Sequence, residues 1–368
     1  MYSLRLAASL SLLLGISAFG QVTATGSLAG RVLDKTQAVI NGAVVRLSST
    51  GSGLQRETRS ADEGLFQFEQ IPAGTYEVSV EMPGFAKVSV HAVDVAVGKA
   101  TNVNVTMEPG KLTDVITVEG QSMPLVDVTK TDVSLAVTPE MVQEMPLNGR
   151  DFANLAFLAP GAKPVNSYDP TKNRIAVFGI NGSAGRNVNV TVNGIDNKDN
   201  TVGGPVMQLP LEAVQEFNIS TQRFSAANGR SEGAAVNVIT KSGTNTPHGS
   251  LYLYERDTAL TANDYFSKQS GSDTPPISRQ QYGGSVGAPI KKDSTFVFFA
   301  LERAREETSL GVTGTAQKEL GIAATAIPGS IKPTVASIIP TPYRDQRYTG
   351  RLDQRINANN NFFVTYNS

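Results

Sequence analysis

From residue 248 onward the chain advances in short segments where aromatic and apolar side chains alternate with polar ones. That period of two narrows the possible folds more than any other feature. Leu251–Tyr254, Tyr282–Gly287, Thr295–Leu301, Tyr348–Ile356 and Asn361–Tyr366 carry it. Segments of about ten residues with this alternation suit strands that cross a bilayer with one face toward lipid. Past residue 20 no stretch stays apolar for the ~20 residues a spanning helix needs. A membrane span there has to be a β-barrel, in which each strand satisfies its neighbours' backbone.

The first twenty residues read differently. Arg5 precedes the apolar run Leu6–Phe19, and Ala18 and Gly20 supply small residues for cleavage before Gln21. That is the pattern of an export signal. A retained anchor is the competing reading, and the run is short of the ~20 residues it needs. The chain has no Cys, which removes disulfides and thiolate zinc sites. Its two His residues, His91 and His248, are far apart, and no metal site or cofactor is expected. A net charge of −1 offers no basic field for nucleic acid.

Residues 26–108 predict an antiparallel β-sandwich, within a first domain bounded at 21–108. Leu28–Leu33 and Ala43–Leu47 flank a turn at Asn41–Gly42. Tyr76, Val78, Val80 and Met82 then alternate with Glu77, Ser79 and Glu81, and Val88, Val90, Val103, Val105 and Met107 continue the pattern. Glu108-Pro-Gly110 breaks the domain. An extended, β-prone segment at Lys111–Val118 follows in a linker over 109–119. Residues 120–243 have mixed character. A helix is expected from Thr138 to Met145, with Thr138 as N-cap and Pro139 in the first turn. Others are expected at Asp151–Leu158 and Leu211–Phe217, the last entering a strand at Asn218–Ser220. Ile175–Phe178 and Val188–Val192 read as strands, and Asn193–Gly194 as a type I′ turn.

Several of these stretches together resemble a known family. Gly64-Leu-Phe66, Ile71-Pro-Ala-Gly74-Thr-Tyr76 and Pro83-Gly84-Phe85 look like the carboxypeptidase regulatory-like domain, a transthyretin-like sandwich related to carbohydrate-binding folds. Asn148–Phe152, Pro210–Phe217 and Phe224–Asn245 continuing to Ser250 resemble the plug and plug-to-barrel junction of Oar-like TonB-dependent receptors. Gly287-Ala-Pro-Ile290 departs from that family's usual Gly-Gly-Pro-Ile by Ala288, and Ile327–Pro342 resembles a long extracellular loop. The fold class is therefore mainly β: a transthyretin-like sandwich, an α+β plug at 120–243, and the first strands of an incomplete barrel at 244–368.

The resemblance implies an outer-membrane receptor of a Gram-negative bacterium, with its N-terminal domains in the periplasm. Its partners would be TonB with the inner-membrane energising complex, outer-membrane lipid, and an unidentified ligand for which carbohydrate stays open. Asp114, Val115, Ile116, Thr117 and Val118 resemble the Ton box, which TonB pairs as an added strand. An ordinary linker strand is the plainer alternative. No enzyme is expected. The substrate site is unassigned. A surface or adhesion protein without active transport is the competing function, and a periplasmic carbohydrate-binding module a third. In that third case Phe66, Phe68 and Phe85 would have to stack on sugar, whereas their setting favours the core. Residues 244–368 suffice for about five strands against about 22 in plugged transporters, so a fragment or truncated product is expected.

Other motifs carry less. Gly229–Gly233 and Gly283–Gly287 match Gly-x-Ser-x-Gly, but the nucleophile elbow needs a strand-to-helix turn and a His base later in the chain. Only His248 follows Ser231, and none follows Ser285. Asp196–Asn200 gathers oxygen atoms without the spacing of a calcium loop and reads as a solvated turn.

Overall fold

The computed structural model describes residues 25–49, 51–110, 115–119, 133–165, 177–224, 226, 229–263, 265–269, 274, 276–311, 314–326, 338–357 and 360–368. The expected export signal lies outside them, as do most of the expected loop at 327–342 and residues 175–176 of an expected strand. Two units separate: residues 1–207 and 214–241 with 356–360, and residues 208–213, 242–355 and 361–368.

In the first unit the alternating segments fold as β1 (Thr25–Asp34), β2 (Val44–Ser49), β3 (Gln55–Arg59), β4 (Leu65–Pro72), β5 (Gly74–Glu81), β6 (Lys87–Val95), β7 (Ala100–Asn102), β8 (Val105–Met107) and β9 (Val115–Glu119). One sheet runs β4-β1-β7 with β8 also on β1, the other β3-β2-β5-β6-β9. Leu28, Val32, Phe66, Phe68 and Ile71 from the first sheet share one core with Val45, Leu47, Tyr76, Val78, Val80, Val88 and Val90 from the second. The buried Tyr76 hydroxyl donates to the Pro72 carbonyl at 2.7 Å, so its polar tip is satisfied. Burial pushes that phenol's pKa far above its usual range.

The sandwich is mixed, which corrects the antiparallel expectation. β7 and β8 lie parallel to β1, and β9 lies parallel to β6. The chain crosses between sheets before pairing, and the alternation of side chains reports faces, not strand direction. Phe66 and Phe68 are core residues in edge-on contact, with ring centroids 6.3 Å apart, and Phe85 is half-buried against the same core. Phe66 and Phe68 offer no open stacking face.

Farther along the first unit, β10 (Val133–Val137), β15 (Val214–Gln222), β16 (Ala234–Thr240), β13 (Val188–Val192) and β14 (Ile195–Asp196) form a five-stranded sheet in that order. β11 (Ala162–Pro164) pairs with β12 (Phe178–Ile180). Helix α1 (Pro139–Glu144) forms where expected, and the Thr138 hydroxyl accepts from the Met141 N–H. Asn193 and Gly194 both have positive φ, as the type I′ turn between β13 and β14 requires. Of the two other expected helices, the first forms and the second does not. Phe152–Leu158 is a 3₁₀ helix, started by the Asp151 side chain on the Ala153 N–H at 2.9 Å. The helix expected at Leu211–Phe217 shrinks to one turn, Leu211–Ala213, because Val214 already begins β15. Val214, Phe217 and Ile219 are fully buried, with β16 pairing from Val214 and β10 from Phe217, and that tertiary pairing overrides the helix propensity of Leu-Glu-Ala-Val-Gln-Glu.

In the second unit, β17 (His248–Asp257), β18 (Ile277–Lys291), β19 (Thr295–Gly311), β21 (Tyr343–Arg355) and β22 (Asn361–Asn367) form an antiparallel meander. β20 (Ile338–Pro340) adds to the far end of β19. β17, β18 and β19 reach well past their expected bounds, β21 starts five residues earlier than expected, and β22 keeps its bounds to within one residue. Among the described residues no helix is long and apolar enough to cross a membrane.

Candidate functional site

Alternation along β17–β22 separates two chemical faces. One presents Leu251, Leu253, Tyr282, Val286, Phe299, Leu301, Tyr348, Leu352, Phe362, Val364 and Tyr366, all exposed, with Leu251 at 93%. Gly284, with no side chain on this face, leaves an apolar hollow among the side chains of β17, β18 and β19. A water-soluble sheet would bury such a face. The opposite face combines buried apolar side chains, Phe296, Phe298, Ala300 and Ala304, with a buried polar cluster. Glu302, 1% exposed, accepts from the Tyr252 hydroxyl at 2.6 Å, Gln281 Nε2 at 3.0 Å and Arg347 Nη1 at 3.1 Å. Arg347 Nε also donates to Asp345 at 2.7 Å. A buried charge is tolerable when paired and hydrogen-bonded in this way. Farther along, Arg351 donates to Asp353 and lies 4.4 Å over the Phe363 ring. Within the same unit the Ser250 hydroxyl donates to Glu212 at 3.0 Å, and Ala213 packs against Phe298 and Ala300.

The Ton-box-like segment falls partly in the described region. Asp114 lies outside it. Val115, Ile116, Thr117 and Val118 form β9 with Glu119, in register with Lys87, Val88, Ser89, Val90 and His91 of β6. Thr117 is exposed. The sequence implied an extended segment but not that the sandwich would hold it.

A second connection had no sequence signal. The buried loop residue Val97, between β6 and β7, donates its N–H to Glu216 Oε2 at 3.0 Å and accepts from Asn218 Nδ2 at 3.3 Å. Glu216 and Asn218 are buried, two apart on β15, so both reach from one face of that sheet. Both main-chain groups of Val97 thereby clamp the sandwich to the five-stranded sheet.

The remaining motifs resolve as local structure. Asp196 pairs with Arg230 at 2.5 Å, Asp199 caps its own turn on the Thr201 and Val202 N–H groups, and Asn197 bonds both main-chain groups of Met207. Burial and the adjacent Arg230 guanidinium hold the Lys198 ammonium below its usual pKa. Ser231 donates to the Ala234 carbonyl, and Ser285 shares a hydrogen bond with Ser250 at 3.0 Å. His248 closes a turn with Thr244 and Thr246. Among the described residues no group of three or more metal-ligating side chains is gathered.

Comparison with known proteins agrees with this division. Residues 27–108 match the carboxypeptidase regulatory-like domain, and residues 239–319 match an outer membrane beta barrel domain. The chain is 28% identical to the TonB-dependent transporter Oar of Myxococcus xanthus over 97% of its own length. It spans about a third of that relative, 34%. Similar solved structures include the outer membrane transporter YddB from Escherichia coli, at TM-score 0.45 and 12% identity, covering 61% of this chain and 31% of that one. The siderophore receptor PirA from Acinetobacter baumannii gives 0.43 and 18%, covering 64% and 31%. The barrel-domain match and the outward apolar face assign the chain to the outer membrane.

Proposed function

We propose, from a chain that joins a carboxypeptidase regulatory-like domain to outer-membrane barrel strands and resembles a TonB-dependent transporter along nearly all its length, that the whole protein is a plug-gated importer energised by TonB. In this reading residues 21–108 are a periplasmic sandwich, 109–119 carry the Ton box, 120–243 are the plug and 244–368 begin the barrel. The observation that supports it best is the pair of faces on β17–β22, one exposed and apolar, the other holding a buried ion pair, as a lipid-facing barrel wall requires. TonB would pair main chain to main chain with Asp114–Val118 and draw on the plug.

The test is a photo-cross-linking residue at Thr117 in cells. A cross-linked species containing TonB, lost on deletion of residues 114–118, is expected. Outer-membrane protein that never cross-links to TonB would favour the adhesion alternative and remove this reading.

A further inference from the structure

The two edges of the sheet β3-β2-β5-β6-β9 are built differently. At one edge β3 reads Gln-Arg-Glu-Thr-Arg, with alternating charge, and Arg46 of β2 pairs with Glu57 at 3.0 Å. Charged side chains are the usual defence of an edge against adding another strand. At the other edge β9 reads Val-Ile-Thr-Val-Glu, β-branched and uncharged until its last residue. Among the described residues no strand pairs with its far side. A strand paired on one side only leaves a row of N–H and C=O groups pointing outward, and that row is a template for one more strand.

We propose that the sandwich, and not the Ton-box-like segment alone, is the docking surface. β6 holds Val115–Glu119 extended, and the partner adds to the open side of β9 as a sixth strand of the sheet. The inference rests on the TonB reading above and deepens it. The partner it fits is an extended polypeptide strand whose main chain supplies the bonds. Its side chains would meet Thr117 on one face of β9. An isolated peptide has to be ordered before it can pair, which weakens binding, whereas β9 is already straightened by the register with Lys87–His91. The alternative is that the partner must strip β9 from β6 before binding.

The chain lacks cysteine, so a pair can be placed without competition. Ser89 and Thr117 are register partners. S89C/T117C in the full chain, in detergent, is closed with a short, reducible thiol-to-thiol reagent and titrated with the purified periplasmic domain of TonB. The cross-linked chain is expected to bind within about threefold of the reduced chain, because the strand is bound where it rests. Binding by the reduced chain with a loss of about thirtyfold or more on cross-linking would overturn the proposal, since the strand would then have to leave β6. Because Ser89 is buried, each single-cysteine chain is first labelled with a monofunctional thiol reagent; two thiols that label singly and still cannot be bridged would overturn it as well, by removing the β6–β9 pairing. If neither form binds TonB while the bridge forms, the TonB reading itself fails.

Discussion

The clamp between the sandwich and the five-stranded sheet gives a prediction whose size can be worked out. Glu216→Ala removes the carboxylate that accepts from the buried Val97 N–H at 3.0 Å and leaves that N–H without its acceptor. A hydrogen bond to a charged group contributes about 1.5–3 kcal/mol, and an orphaned buried donor costs about 1–3 kcal/mol. Taking ~2 kcal/mol, local opening around Val97 becomes about thirtyfold more frequent. Asn218→Ala loses a longer, neutral bond of 3.3 Å to the carbonyl of the same residue, worth about 1 kcal/mol, or roughly fivefold. Hydrogen exchange followed by mass spectrometry on peptides spanning residues 93–99 reads both. Because both side chains grip Val97, the double variant should fall short of the product of the two single effects. An unchanged exchange rate in Glu216→Ala, or strictly multiplicative effects, would refute the clamp.

Three further outcomes follow from single positions. Gly30→Ala would put a Cβ 1.9 Å from the Val103 carbonyl oxygen and 2.8 Å from Phe66 Cζ; the main-chain oxygen cannot swing away, so thermal unfolding should show a loss near the upper end of about 1–3 kcal/mol. The Glu81 carboxyl is held below its usual 4.5 by hydrogen bonds, first from Lys87 and then from Arg46, against partial burial. Its stabilisation is therefore complete above that value and lost as pH falls through the lower folded one, so Glu81→Gln should flatten acid unfolding of the sandwich below about pH 4.5. Leu253→Arg, on the outward face, should weaken insertion into lipid vesicles by about 2–4 kcal/mol if it sits near mid-bilayer, whereas a soluble sheet would tolerate it.

Much of this architecture is legible in residue order because β-structure writes its faces with a period of two. Tyr76, Val78 and Val80 are buried together in the sandwich, and Leu251 and Leu253 are exposed together on the barrel sheet, as their alternation implies. Local chemistry was equally readable at Thr138-Pro139 and at Asn193-Gly194, where a cap and a turn need only neighbouring residues. What escaped depends on distant partners. β3 has no apolar residue to mark it and exists because β2 offers an edge. Val214–Phe217 is strand and not helix because β16 pairs along it and β10 joins at Phe217. The ion pair of Glu302 with Arg347 joins two strands 45 positions apart and leaves no mark on either segment alone, and the hold of Glu216 on Val97 crosses 119 positions without any motif.

The claim beneath all of this is that β17–β22 meet lipid with one face and not the other. Four consecutive substitutions, Leu251→Cys, Tyr252→Cys, Leu253→Cys and Tyr254→Cys, each carrying a fluorophore in chain reconstituted into vesicles with spin-labelled lipid, measure it directly. Strong quenching at 251 and 253 with weak quenching at 252 and 254 is the expected pattern. Equal quenching at all four, or a chain that stays in water with none, would contradict it.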